Sequence, residues 1–166
     1  MDMTLPTWTY QGRVFNDISD FPKDTYGFIY EVYHKPTGLK YLGKKVLFFE
    51  RNKRLGKRAL EALREERKAN GIGGRTPLKQ KIITESDWKE YYGSHPKIKQ
   101  LVKDSKDLRA DFEKKILDLV PNKKLLTYYE CKHLFINDVL ETYSHQYIND
   151  NILGKFYRKD FNNETN

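Results

Sequence analysis

Cysteine is nearly absent from this chain, with Cys131 alone among 166 residues. One thiol excludes an intramolecular disulfide and a cysteine-built zinc centre, and it suits a reducing, cytoplasmic setting. Its place in a helical pattern reads as a small core thiol rather than a nucleophile. Long apolar runs are missing as well. No stretch approaches the ~18 residues of a membrane span, and the polar N-terminus lacks the apolar core of a signal peptide. The expectation is therefore a cytoplasmic protein with no membrane partner. The one glycine-rich stretch, Asn70 to Thr84, lacks the preceding strand and following Lys-Ser/Thr of a nucleotide-binding loop. His34, His95, His133 and His145 form no metal-ligand spacing.

Acid is the minority charge: 31 Lys and Arg stand against 23 Asp and Glu, a net +8 that favours a polyanionic partner. A soluble basic protein with no such partner fits that balance equally well. What the chain has in abundance is tyrosine, twelve copies, often beside lysine or arginine. Such interleaving suits phosphate and base contact, although tyrosines also pack half-buried with the hydroxyl outward. The length is that of one domain able to bury a real core.

The organising stretch is Tyr26 to Lys45, YGFIYEVYHKPTGLKYLGKK. Two β-prone runs, Phe28 to Tyr33 and Lys40 to Leu47, flank Pro36-Thr37-Gly38, which predicts a hairpin. Tyr30 and Tyr41 sit near the centres of the two arms. Side chains repeat every second residue along a strand, so both phenols can reach one face. Beside Lys44 and Lys45 they make a candidate phosphate site.

Residues 1–25 read as a lead-in that packs on the domain, with a strand around Trp8 to Val14. Phe48 to Lys68 is rich in helix formers and predicts an amphipathic helix with Leu55, Ala59, Leu60 and Leu63 inward and arginines outward. Asn70 to Thr84 carries Gly71, Gly73, Gly74 and Pro77 and reads as a basic loop, either a DNA contact or a linker. Ser86 is a favoured N-cap, so Asp87 to Tyr92 predicts one helical turn closed by Gly93, with Trp88 in the core. A short helix is expected from Pro96 to Val102 and a third strand in the second half of Arg109 to Val120. Pro121 to Thr142 predicts a helix with Leu125, Leu126, Tyr129, His133, Ile136 and Leu140 on one stripe. Glu130 lies at the flank of that stripe, as a surface residue at the margin or an inward metal ligand. Asn149 and Asn151 fall in a turn-like run before the basic aromatic patch Lys155 to Lys159.

Phe28-Ile29-Tyr30, ten residues, and then Tyr41-Leu42-Gly43 resembles the signature of the GIY-YIG endonucleases. Phe28 stands where the first motif's glycine usually sits, with Gly27 one place earlier. Ser86-Asp87-Trp88-Lys89 running into Tyr91-Tyr92-Gly93-Ser94, then Tyr128-Tyr129-Glu130, then Tyr147 to Asn151, resembles the phage-encoded Seg-type members. The likeness covers most of residues 26–158. It implies an α+β fold in which a small three-stranded antiparallel sheet, the hairpin plus a third strand, is flanked by helices. The nuclease domain is then 26–160 with a basic insert at 51–84, and 161–166 is a loose tail.

The resemblance implies a DNA endonuclease that uses one Mg²⁺ or Mn²⁺ held by Glu130. Tyr30 is the implied general base or water-orienting group, and Tyr41 acts beside it in positioning water and phosphate. Arg51, expected on the first helix, supplies positive charge to the transition state, and Asn149 matches the family's terminal asparagine. The implied DNA-binding set is Lys44, Lys45, Arg54, Arg58, Arg75, Lys79, Lys81, Tyr92, Asn151, Lys155 and Arg158. Few protein ligands suit Mg²⁺, which keeps several waters and takes substrate phosphate oxygens. A phenol near pH ~10 needs neighbouring cations to act as a base at neutral pH. Two other classes compete, a basic nucleic-acid-binding module that does not cut and a structural or inhibitory protein on the same fold. Cutting both strands with one such site requires a dimer or two encounters.

Overall fold

A computed structural model describes residues 5–141 and 146–163. They form two compact units, one from the residues up to Leu47 together with those from Asp87 onward, the other from Phe48–Ser86. No helix among the described residues is long and apolar enough to cross a membrane.

The first unit is built on a five-stranded sheet. Its strands are β1 (Trp8–Tyr10), β2 (Arg13–Phe15), β3 (Gly27–His34), β4 (Leu39–Val46) and β7 (Phe112–Val120), with β5 (Phe48–Arg54) and β6 (Lys79–Glu85) in the other unit. The spatial order is β2-β1-β7-β3-β4, antiparallel except where β1 runs parallel to β7. The third strand predicted after Arg109 therefore exists, but at the centre of a mixed sheet larger than the three strands expected. Residues 8–15 supply the difference, as a tight hairpin whose turn places Gln11 and Gly12 at positive φ. Trp8 anchors it. The Trp8 indole N–H donates to the Trp88 carbonyl (2.7 Å), and its ring meets Phe28 and Tyr30 edge-on.

The β3–β4 hairpin forms as its aromatic arms and Pro36/Gly38 turn predict. The Gly38 N–H closes on the His34 carbonyl, and Gly38 takes φ +70°. Alternation along β3 sends Phe28, Tyr30 and Val32 to one face and Ile29 to the other. The first face packs with Trp8, Phe15, Phe21, Trp88, Tyr92, Ile98 and Phe112. The second is covered by α4 (Lys123–Ile136) through Leu126 and Leu134. An irregularity in the β3–β7 register falls between Ile29 and Tyr30, where bulges re-aim side chains.

Three expectations fail in this unit. Asp87 to Gly93 is a turn and extended segment rather than a helical turn. Helix α4 stops at Ile136, its C-cap being Asn137, and Thr142 to His145 lie outside the described residues. Its inward stripe is also rotated: Leu125 and Ile136 are exposed, while Leu126 and Leu134 are buried. The helices α2 (Pro96–Asp104) and α3 (Leu108–Asp111) complete this part.

The Phe48–Ser86 unit departs most from expectation. Phe48–Arg54 is strand β5 and not the start of a helix, and Lys79–Glu85 is strand β6 and not part of a loop. The two pair antiparallel over seven positions, Phe48 opposite Glu85 through Arg54 opposite Lys79. Helix α1 (Lys57–Ala69) lies between them in sequence and buries no residue. Arginine, lysine, asparagine and glutamate carry no strand signal of their own. These strands exist by pairing with each other.

Candidate active site

Strand β4 is an edge of the sheet, and a strand edge leaves a row of unpaired backbone groups. Residues 146–149 cover it. The Lys40 N–H donates to the Gln146 carbonyl and the Ile148 N–H donates to the Lys40 carbonyl. Asn149 then substitutes its side chain for a peptide. Its Oδ1 accepts from the Leu42 N–H (3.1 Å) and its Nδ2 donates to the Leu42 carbonyl (2.7 Å). Only a side-chain amide presents donor and acceptor together in this way. Asn149 is buried and wholly committed to this pairing. Beyond it, the Arg158 guanidinium donates to the Val139, Tyr147 and Asn149 carbonyls, which ties the last segment down.

Along this edge runs a cleft of about 540 Å³, with Tyr41, Lys44, Ser94, His95, Glu130 and Asp150 among its lining residues. Val32 pairs with Tyr41 and Tyr30 with Gly43, so the two phenols lie diagonally on one face, ring centroids 6.3 Å apart. Glu130 reaches the cleft from the other face. It stands at four-residue spacing between buried Leu126 and Leu134, in line with the inward stripe of α4 rather than at its flank. Its Oε2 is 2.9 Å from Lys44 Nζ, which also donates to Thr127 Oγ1 (3.1 Å). Burial first, and to a lesser degree the negative charge of Glu130, raise the pKa of both Tyr30 and Tyr41.

Two glycines make room for the phenols. A Cβ on Gly43 would lie 2.6 Å from Tyr30 Oη, and one on Gly93 would lie 2.7 Å from the Tyr41 ring. Gly93 adopts φ +136°, a conformation L side chains rarely take. Tyr30 is 1% exposed, and burial pushes its pKa well above 10, helped by its charge coupling with Tyr41 and Tyr91 and by a hydrogen bond with Tyr91. Burial likewise raises Tyr41, against a hydrogen bond with the Ser94 hydroxyl at 3.3 Å. Burial holds both phenols neutral at physiological pH, and Lys44 and Lys45 do not offset it. Lys44 faces Glu130, and Lys45 is buried, its ammonium 2.6 Å from Asp87 Oδ1 and 3.7 Å above the Tyr91 ring.

Sequence reasoning missed three participants. Tyr91, rather than Tyr92, meets Tyr30, its ring edge-on at 5.9 Å. His95 and Asp150 pair at 2.5 Å across 55 residues of sequence. His95 Nδ1 accepts from the Lys97 N–H, so its Nε2 carries the proton that Asp150 accepts. The Tyr91 swap was legible only as a neighbouring aromatic, and the His–Asp pair had no local signal at all.

Several residues expected at a DNA surface are placed otherwise. Lys45 and Arg158 are engaged as described. Tyr92 is a core residue against Phe112, its hydroxyl buried without a hydrogen-bond partner among the described residues and pushed up to about 12 by burial. Asn151 is exposed and caps the Gly154 N–H, and Lys155 is exposed beside it. Arg51, Arg54, Lys79 and Lys81 lie on the β5–β6 ribbon, Arg58 on α1 and Arg75 in the following loop, all exposed in the Phe48–Ser86 unit. The helix on which Arg51 was expected does not include it.

No group of three or more His, Cys, Asp or Glu among the described residues is placed to hold a metal ion. The donor set does fit a hard cation that takes few protein ligands. Glu130 offers a carboxylate in the cleft and already faces one positive charge, the Lys44 ammonium.

A family model described as "Putative endonuclease segE, GIY-YIG domain" matches residues 8–152. No curated protein and no solved structure gives a match.

Proposed function

The chain belongs to the SegE-type GIY-YIG endonucleases, and from that premise we propose that it hydrolyses phosphodiester bonds of DNA at the β4-edge cleft. The observation that carries this reading is the meeting of Tyr41 and Glu130 in one cleft from opposite faces of the sheet, with Tyr30 diagonal to Tyr41. A module that only binds nucleic acid has no use for a carboxylate facing its anion.

Hydrolysis needs a held water, relief of charge on the non-bridging oxygens, and help for the departing 3′ oxygen. Glu130 would hold Mg²⁺ or Mn²⁺, which when bound supplies Lewis-acid charge relief. Tyr41, at the cleft wall, orients water and phosphate through its hydroxyl. Neutral Tyr30 acts as the water-orienting phenol beneath it, and it serves as a base only as the phenolate, which forms where bound cations offset its burial. The Lys44 ammonium leaves Glu130 for a phosphate oxygen as the substrate arrives. Arg51 remains the arginine of the proposal, as the source of positive charge for the transition state. Asn149 acts as a positioning residue, because its amide is taken by Leu42. Asn151 and Lys155 are the proposed DNA contacts of this unit.

Supercoiled plasmid incubated with Mg²⁺ and with EDTA tests the proposal. Nicking in the first and intact plasmid in the second supports it. Retarded but uncut DNA in both favours the binding module.

A further inference from the structure

Charge is divided very unequally between the two units. Phe48–Ser86 holds eleven Lys and Arg against five Asp and Glu, +6 of the chain's +8, within 39 residues. The remainder of the chain, which contains the cleft, is left with +2. The same 39 residues bury almost nothing: every β5 residue is exposed, Ile82 alone of β6 is half-buried, and Ser86 is the one buried residue. A seven-pair ribbon without a core is marginal in water, and crowding like charges on it costs further stability. Lys81 has a carboxylate partner, Glu50 at 2.9 Å. Among the described residues Arg51, Lys53, Arg54, Arg58, Arg75 and Lys79 have none.

The ribbon's two faces differ. Register places Asn52 opposite Lys81 and Arg54 opposite Lys79 on one face, and Arg51 opposite Ile82 on the other. Ile82 is the half-buried residue, so the face with Asn52, Arg54, Lys79 and Lys81 is the open one.

We infer that the Phe48–Ser86 unit is the chain's DNA-holding arm, gripping duplex phosphates through the open face of the β5–β6 ribbon and supplying most of the binding energy, while the cleft supplies the cut. This deepens the nuclease reading and rests on it. The occupant follows from charge complementarity: a duplex is a dense array of phosphates, and a two-stranded ribbon is narrow enough to follow it. Each phosphate neutralised adds about 0.9 to the slope of log affinity against log salt.

The test is fluorescence anisotropy with a labelled 20-base-pair duplex in EDTA, from ~50 to ~300 mM salt, so that binding is read without cutting. The arm variant is R54Q/K79Q/K81Q, all on the open face, and the control is K99Q/K103Q/K106Q, exposed lysines of the other unit. The arm variant is expected to lose about tenfold or more in affinity at ~0.1 M salt and about 2 to 3 in slope, while the control changes less than about twofold. Equal losses in both variants, or an unchanged arm variant, overturn the inference while leaving a wild type that cuts plasmid intact as a nuclease. A wild type that binds no duplex at any salt, or binds only vesicles of anionic lipid, overturns both. Unchanged circular dichroism in the two variants is the check on folding.

Discussion

The two units are built on opposite physical terms. Around the sheet, Trp8, Phe28, Tyr30, Trp88 and Phe112 are almost fully enclosed, and the Trp8 indole and the Asn149 amide there have specified partners. In the Phe48–Ser86 unit no apolar side chain is buried, and Phe48, Phe49, Ile72, Leu78 and Ile83 remain exposed among cations. Packing holds a reactive geometry to fractions of an ångström. An open charged surface can hold a polymer of any local sequence. The contrast suits a body that does chemistry and an arm that does attachment.

That contrast is most sharply broken or upheld by Glu130→Gln and Tyr30→Phe. Both are expected to lower plasmid nicking by roughly a hundredfold to ten-thousandfold while anisotropy with duplex DNA stays within about twofold. Loss of binding in step with loss of cutting would merge the two units into one function.

Lys114 probes the body's packing through pH. Its ammonium is enclosed between the Trp8 and Tyr92 rings, at 4.3 and 4.5 Å, and donates to the Lys89 carbonyl. Burial lowers its pKa from 10.5 to about 7. Because the unfolded chain binds this proton more readily, the group destabilises the fold fully below pH 7, and that cost fades as pH rises from 7 towards 10.5. Wild type should therefore gain on the order of 2–4 kcal/mol across that window, the rings offsetting part of the burial cost. Lys114→Met should be flatter over the same range, as read by urea unfolding.

Gly43→Ala tests the room made for Tyr30. It should destabilise by about 1–3 kcal/mol and disturb the Tyr30 ring, with a drop in nicking larger than stability explains. Asn149→Asp removes the donor to the Leu42 carbonyl and should cost about 1–3 kcal/mol in the same unfolding assay. The smallest effect is expected in the arm. R54Q/K79Q/K81Q should shift unfolding by no more than about 0.5 kcal/mol, since the residues are exposed and the one ion pair among them, Lys81 with Glu50, is open to solvent. A large shift there would mean that the unit carries structure the exposure pattern does not reveal.

The same division explains what the sequence could and could not tell. The hairpin was legible because Pro36, Gly38 and the aromatic arms act locally, and β7 was legible from its apolar half. Strands β5 and β6 were not, because Arg51, Lys53 and Arg54 bury nothing and so leave no periodicity, and their partners lie about thirty residues on. Residues 8–15 were legible as one strand on the lead-in but not as a two-stranded hairpin, because three-residue strands carry little pattern before they join a sheet. At the site, Tyr30, Tyr41 and Glu130 were readable through the family blocks. Tyr91 and the His95–Asp150 pair were not, since they are brought together by the turn after Asp87 and by the tail along β4. Asn149 was legible as a residue but not as a peptide mimic, which depends on Leu42.

The most direct test of the account is nicking of supercoiled plasmid in Mg²⁺ by Glu130→Gln alongside wild type, with duplex binding measured on the same preparations. The account predicts that wild type nicks, that the variant does not, and that both bind alike. A variant that nicks at the wild-type rate would remove Glu130 from the chemistry and contradict the account.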